Sequence, residues 1–155
     1  MVANRLAVFF SATLTVFLTG SPPALAEETD RSKDVRALGR CAGCVLQLSD
    51  FSGRNLMGID FTSAHLNSVK FDGSNMNLAV FENAVLRGTS FASVNLRGAN
   101  FVGARLTEVS FEEADLKGAV FDGAILEGTD LDPAILCNTQ TAADEIDNSD
   151  CAAAR

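Results

Sequence analysis

Large apolar residues recur at every fifth position through the middle of the chain. From Phe51 to Leu126 there are sixteen consecutive five-residue steps, and every central residue is Phe, Leu or Met. The residue two places before the centre is small in fourteen of these steps. The residue two places after it is Gly in nine and Ser or Asn in four. Neither the period of an α-helix nor that of a plain strand has this length.

Each position of the repeat has a physical role. In an extended segment, residues two apart point to the same side, so the centre and the small residue before it both face inward. Gly, Ser and Asn accept turn conformations, and Gly adopts positive φ at no steric cost. Each unit is therefore a short strand followed by a corner. Repeated corners wind the chain into a coil whose successive turns pair as parallel strands.

The order of the central residues predicts a four-sided coil. Phe alternates with Leu or Met, so a coil of twenty residues stacks like on like, whereas a coil of fifteen stacks Phe on Leu. The sequence predicts an all-β fold, a right-handed quadrilateral parallel β-helix whose hand follows the crossover rule. Two columns spaced by twenty residues support four sides, one of alanines and one that is a candidate surface ladder of polar side chains: Ala64, Ala84, Ala104 and Ala124, and Asn55, Asn75, Asn95 and Asp115.

Short helical caps are predicted at both ends, because an open coil end exposes unpaired strand edges. Residues 29–39 combine a possible N-cap, an apolar side and a terminal glycine. Residues 132–136 suit a helix start or a turn, and residues 141–146 are expected to add a helical turn. The tail from 130 to 155 has six acidic residues and one basic residue, so we expect it to be solvated.

The first 26 residues are predicted to be a signal peptide. Arg5 precedes an apolar run of 15 residues, which is short for a membrane span, and Ala24 and Ala26 fit a signal peptidase site. A membrane anchor is the alternative interpretation. The mature chain would begin near Glu27 with 11 basic and 20 acidic residues, and it would be periplasmic or secreted. This acidity disfavours nucleic acid and anionic membranes as partners, and we expect no stable membrane insertion.

The repeat resembles that of the pentapeptide-repeat proteins. The segments ANFVG, ADLKG and VNLRG match the family's unit, which is a small residue, a polar one, Leu or Phe, and two more. The resemblance covers about residues 41 to 136 and implies the family's right-handed quadrilateral β-helix, but it does not transfer a function. The predicted organisation is a signal peptide (1–26), an N-terminal capping segment (27–40), the β-helix (41–136) and a disulfide-closed C-terminal tail (137–155).

The four cysteines are predicted to be bridged, because export implies an oxidising compartment. At about 4.8 Å per coil the ends of the coil lie roughly 23 Å apart, whereas a disulfide needs Cα atoms within about 7 Å. Only local pairs fit, Cys41 with Cys44 and Cys137 with Cys151, and the same separation excludes a metal site built from all four. The C-terminal segment is also similar to an ending of exported family members, although residues 141–144 depart from it. The matching residues are Cys137, Asn138, Thr139, Asn148 and Cys151.

Other chemistry is scarce in this sequence. The only histidine, His65, occupies an outward position, and Glu112, Glu113 and Asp115 are interpreted as a solvated edge. We therefore predict no catalytic residue, no metal site and no cofactor. Four outward positions that are normally polar carry aliphatic residues, which form a possible partner surface on two adjacent walls: Val80, Val85, Val120 and Ile125.

The sequence favours a non-enzymatic periplasmic scaffold or protein-binding module, with another protein as partner and a homodimer left open. The family resemblance suggests a second class, since its quinolone-protecting members are acidic rods that imitate duplex DNA and bind DNA gyrase. The signal peptide argues against that role. So does the mild charge of residues 50–129, which contain ten acids and six bases. A third class is a redox role for Cys41 and Cys44, which is disfavoured because a coil strand follows the pair instead of a helix.

Overall fold

The computed structural model describes residues 40–151, which form a parallel β-solenoid whose successive coils are twenty residues apart. The predicted quadrilateral β-helix is confirmed. Each coil has four walls, and residues ten apart lie on opposite walls. We name the walls by their central residues: wall A (Leu46, Leu66, Leu86, Leu106, Leu126), wall B (Phe51, Phe71, Phe91, Phe111), wall C (Leu56, Met76, Leu96, Leu116, Leu136) and wall D (Phe61, Phe81, Phe101, Phe121).

Wall A is a five-stranded parallel sheet in the order β1-β2-β3-β4-β5. Its register places each central leucine beside the next, as Leu46 beside Leu66. The other walls pair through single bridges between residues twenty apart, such as Lys70 with Ser90. Two further strands form an antiparallel pair at the C-terminal end. The strands are β1 Val45–Gln47, β2 His65–Asn67, β3 Val85–Arg87, β4 Arg105–Thr107, β5 Ile125–Glu127, β6 Thr139–Gln140 and β7 Ile146–Asp147.

Two columns of phenylalanine fill the interior. The eight rings of walls B and D are each at most 1% exposed. Within a column each ring stacks on the next at centroid distances of 4.7–5.5 Å. Between columns the rings meet edge to face at 5.5–6.2 Å. Both arrangements are favourable for aromatic quadrupoles, which accounts for stacking like on like in a coil of twenty.

The corners share one backbone conformation whatever the residue. All sixteen residues two places after a centre, from Gly53 to Gly128, have φ between 52° and 69°. This includes Leu78, Glu108 and Glu113, which interrupt the Gly/Ser/Asn column of the sequence. The coil therefore imposes the left-handed region on residues that disfavour it.

At Gly98 the neighbouring coil approaches closely enough to leave little room for a side chain. A Cβ at Gly98 (φ +63°) would lie 2.8 Å from Leu78 Cδ2, whereas a Cβ at Gly123 (φ +62°) would have nothing within 4 Å. We expect Gly123→Ala to lower the free energy of unfolding by about 1 kcal/mol through backbone strain alone. Gly98→Ala should cost about 0.5–1.5 kcal/mol more, because Leu78 must leave its rotamer. Urea denaturation measures both, and the difference should vanish when Leu78→Ala is added.

Ser74 is an interior residue whose hydroxyl is not satisfied. It is 2% exposed, and its Oγ has no hydrogen-bond partner among residues 40–151. Because an unpaired buried hydroxyl is costly, we expect Ser74→Ala to raise the free energy of unfolding by about 1 kcal/mol. Thr139 is the control, since its Oγ1 is buried but donates to the Leu116 carbonyl at 2.9 Å. Thr139→Val should destabilise in the same assay, and a loss of stability in Ser74→Ala would contradict this account.

The predicted helical caps are not confirmed. The N-terminal helix (29–39) and the signal peptide lie outside the described residues. At the C-terminal end residues 132–133 form a turn, which is one of the two alternatives predicted for 132–136, and Ile135 extends wall C by pairing with Asp115. The helical turn predicted at 141–146 is wrong, since these residues turn between β6 and β7 and enter β7. The last coil offers N–H groups that an extended segment can pair and a helix cannot. Phe121 donates to the Gln140 carbonyl at 2.8 Å, so the tail is not simply solvated.

Within residues 40–151 there is no helix of the length and apolar character needed to cross a membrane.

Candidate functional site

The cysteines lie where local pairing requires. The Cα atoms of Cys41 and Cys44 are 5.1 Å apart, and those of Cys137 and Cys151 are 4.7 Å apart, so both pairs stand at disulfide distance. Cys41 and Cys44 are only 6% and 8% exposed at the N-terminal end of the interior. A redox-active thiol needs access to its substrate, so this burial disfavours the redox role.

The four residues of the predicted partner surface do not form one stripe. Val85 and Ile125 lie on wall A with Arg105 between them. Val80 and Val120 lie on wall D with Asn100 between them. The aliphatic residues are therefore two apolar spots separated by a polar coil. Their role in binding a partner stays a prediction.

Sequence reasoning missed several exposed apolar residues. Leu48 is 85% exposed and Leu78 is 58% exposed, both at left-handed corners with φ of 48° and 59°. Met57 and Val45 are also exposed. Leu78 could have been found as a break in the glycine column. Leu48 and Val45 precede the first repeat of the sixteen, so the column gave no expectation for them.

Wall A carries a groove of about 400 Å³ that crosses β1, β2 and β3. Leu66 lies at its floor, and because the Leu66 side chain is buried in the interior, it is the strand backbone that faces the groove. One ridge consists of the first residue of each strand and the other of the third residue: Val45, His65 and Val85, and Gln47, Asn67 and Arg87.

The groove ends where β4 and β5 begin to contribute side chains. Arg105 of the first ridge reaches diagonally to Glu127 of the second, with Nη1 and Oε1 3.1 Å apart. Thr107 Oγ1 also donates to Glu127 Oε2 at 3.3 Å. This ion pair spans the space between the ridges, which is open over the first three strands.

The charge of the groove is opposite to that of the chain. Arg87 is its charged residue, and none of its lining residues is acidic, while the chain has a net charge of −8. Arg87 forms no ion pair with any of residues 40–151. The groove is therefore a local cationic site with two valines on the opposite ridge, one at each side of His65.

The acidic residues singled out in the sequence do not form one cluster. Glu112 and Glu113 lie on wall B and its corner, where Glu113 Oε2 accepts a hydrogen bond from Ser93 Oγ at 3.0 Å. Asp115 lies on wall C and pairs with Arg97 at 3.1 Å. In the described part of the chain, no group of three His, Cys, Asp or Glu residues is arranged to hold a metal ion.

The predicted polar ladder on wall C forms only one rung. Asn75 Nδ2 donates to Asn55 Oδ1 at 3.2 Å. Further along the column the side-chain oxygens accept from the backbone N–H two residues later, as Asn95 from Arg97 at 3.2 Å and Asp115 from Lys117 at 3.2 Å. Asn75 makes this turn too, its Oδ1 accepting from the Asn77 N–H at 3.3 Å, so the turn satisfies a corner N–H whether or not a rung forms.

Asp60 makes the same kind of turn on wall D. Hydrogen bonds from the Thr62 side chain and then from its backbone N–H, at 2.9 Å, lower the pKa of Asp60 from 3.8. A carboxylate with a lowered folded-state pKa stabilises above its unfolded pKa, and this contribution is lost as the pH falls through the folded pKa. Asn100 occupies the same column and makes the same turn, with Val102 N–H at 2.9 Å.

We therefore expect Asp60→Asn to keep the turn and to lose less stability on acidification than the parent protein. The measurement is the urea midpoint of both proteins at pH 7 and at about pH 3. The stability that Asp60 contributes decreases once the pH is below the unfolded-state pKa of the carboxyl group. An identical loss in the two proteins would show that Asp60 contributes nothing to the acid response.

Comparison with known proteins places this architecture in context. The family model described as pentapeptide repeat region matches residues 44–121. A solved pentapeptide repeat protein from the thylakoid lumen of Arabidopsis thaliana is 31% identical, with a TM-score of 0.59 over 65% of this chain and 68% of its own. A pentapeptide repeat protein from Nostoc PCC 7120 is 18% identical, with a TM-score of 0.53 over 66% of this chain and 88% of its own. At this identity the likeness supports a shared fold and nothing further. No curated protein matches the sequence.

Proposed function

The chain belongs to the pentapeptide-repeat family, and from this premise we propose that it is a non-enzymatic scaffold or protein-binding module that works in the periplasm or outside the cell. Its partner on this proposal is another protein, which it meets through outward side chains on its walls.

The observation that carries the proposal is the filled interior. The two phenylalanine columns are in contact along the coil, and each ring is at most 1% exposed. Ligands therefore meet the protein at its walls and ends. The same packing makes the walls rigid, and a rigid surface loses little conformational entropy on binding.

The compartment rests on separate support. The predicted signal peptide at 1–26 indicates export, and the two cysteine pairs at disulfide distance fit an oxidising environment. The Arabidopsis relative comes from the thylakoid lumen.

Fractionation followed by crosslinking tests the proposal. Natively expressed protein should be recovered from the periplasm or medium with an N-terminus at or near Glu27. Crosslinking and mass spectrometry on that fraction should identify a protein partner from the same compartment. An intact Met1 on cytoplasmic protein crosslinked to DNA gyrase would instead favour the DNA-mimic alternative.

A further inference from the structure

We propose that the groove on wall A docks a short extended segment of a partner protein in which aliphatic side chains alternate with carboxylates. The proposal rests on the binding function proposed above and names the surface and the chemistry of the partner. Of the four residues that the sequence predicted as a partner surface, Val85 lines this groove and the other three do not.

The dimensions of the groove suit an extended chain. Its ridges are two residues apart on each strand, which is about 7 Å, and three stacked strands give it a length of about 10 Å. That length accommodates about three or four residues of extended polypeptide at roughly 3.3 Å each. The floor is strand backbone that already pairs with the neighbouring coils. Recognition therefore falls to the side chains of the two ridges.

The side chains define the chemistry of the occupant. Val45 and Val85 offer apolar contact on one ridge, and Arg87 offers a guanidinium on the other. A guanidinium binds a carboxylate through two parallel hydrogen bonds. Successive side chains of an extended segment point to opposite sides. A segment that alternates aliphatic and acidic residues therefore presents its apolar side to the valines and its carboxylates to Arg87.

Leu48 is an independent indication at the same place. It follows Gln47 of the second ridge, is 85% exposed and has a left-handed φ of 48°. The φ of Leu48 is that of the other corners, so its exposure is the unusual feature of this leucine. Leu48 extends the apolar surface beyond the rim of the groove.

The rest of wall A is unsuited to the same occupant. The Arg105–Glu127 pair neutralises its cation and spans the space between the ridges. The open guanidinium of Arg87 is therefore what distinguishes the first three strands from the last two.

Fluorescence anisotropy with synthetic peptides tests the proposal on the purified mature protein. The probe is a fluorescein-labelled eight-residue peptide of alternating Asp and Val, and the controls replace Asp by Lys or Val by Ser. The Asp/Val peptide should bind in preference to both controls at physiological ionic strength. Arg87→Glu should weaken its binding at least about tenfold. Lys117→Glu makes the same charge change on the opposite wall C and should change binding by less than about threefold.

Equal weakening by Arg87→Glu and Lys117→Glu would overturn the proposal, as would equal binding of the Lys/Val peptide or no binding at about 1 mM. NMR titration locates the site, and amide shifts should concentrate in residues 65–67 and 85–87. Shifts concentrated on another wall would rule out the groove as the binding site but would leave the proposed binding function intact. Failure of the fractionation experiment to yield any partner would remove the function itself.

Discussion

Phe91→Ala is expected to lower the free energy of unfolding by about 3–5 kcal/mol, through lost burial and the cavity left behind. The ring is completely buried. It stacks between Phe71 and Phe111 at 5.3 and 5.4 Å, and it meets Phe81 and Phe101 edge to face at 5.5 and 6.2 Å. The neighbouring rings are held at the spacing of the coils, so they cannot close the gap without breaking coil-to-coil pairing.

Arg87→Ala is the control for this prediction. Its side chain is outward on wall A, and the substitution should change the free energy of unfolding by less than about 0.5 kcal/mol. Urea denaturation of the two variants compares an inward and an outward position of neighbouring repeats. Equal losses would contradict the assignment of inward and outward positions on which the four-sided frame depends.

Removal of the C-terminal disulfide pair is the second large effect. Replacing Cys137 and Cys151 together by serine opens a loop of 15 residues and should cost about 3 kcal/mol. The tail should detach locally before the solenoid unfolds, because its contacts lie at one end. The amides of Gly118 and Phe121, which donate to the tail at 2.9 and 2.8 Å, should then exchange faster.

The amide of Gly98 provides an internal control. Its N–H donates to the Lys117 carbonyl of the next coil at 2.9 Å and not to the tail, so its exchange should change less than that of Gly118. Replacing Cys41 and Cys44 by serine should cost less, about 2 kcal/mol, because the loop is shorter. Uniformly faster exchange along the chain would contradict local fraying. A Cys41–Cys137 peptide in a non-reducing map would contradict the pairing itself.

The coil could be predicted from sequence because every repeat obeys the same local rule. Each five-residue step combines a strand pattern with a turn residue, so a single break such as Leu78 does not interrupt the fold. At Leu78 and Glu108 the neighbouring coils impose the φ that Gly would adopt freely. Local conformational preference and pairing between coils agree along most of the repeat, and this agreement is why the fold can be predicted from the sequence.

The C-terminal end could not be predicted in the same way. Residues 137–151 have no five-residue period, so their acidic composition suggested a solvated tail. Their conformation depends on the open edge of the last coil, where Gln140 pairs with Val120. The groove was also beyond the sequence. Its open cation depends on Arg87, the third residue of β3, standing unpaired among the described residues, while Arg105, the first residue of β4, is held by Glu127 of the next coil.

Site-specific photo-crosslinking in the native compartment tests the central claim most directly. A benzophenone amino acid is placed at position 67 or at position 77. Asn67 lines the groove on wall A, and Asn77 holds the equivalent position on wall C ten residues later. Position 67 should crosslink to a partner peptide rich in carboxylates and aliphatic residues. Arg87→Glu should suppress that product, and position 77 should give none. Equal crosslinking from position 77, or a product from position 67 that Arg87→Glu leaves unchanged, would contradict the account.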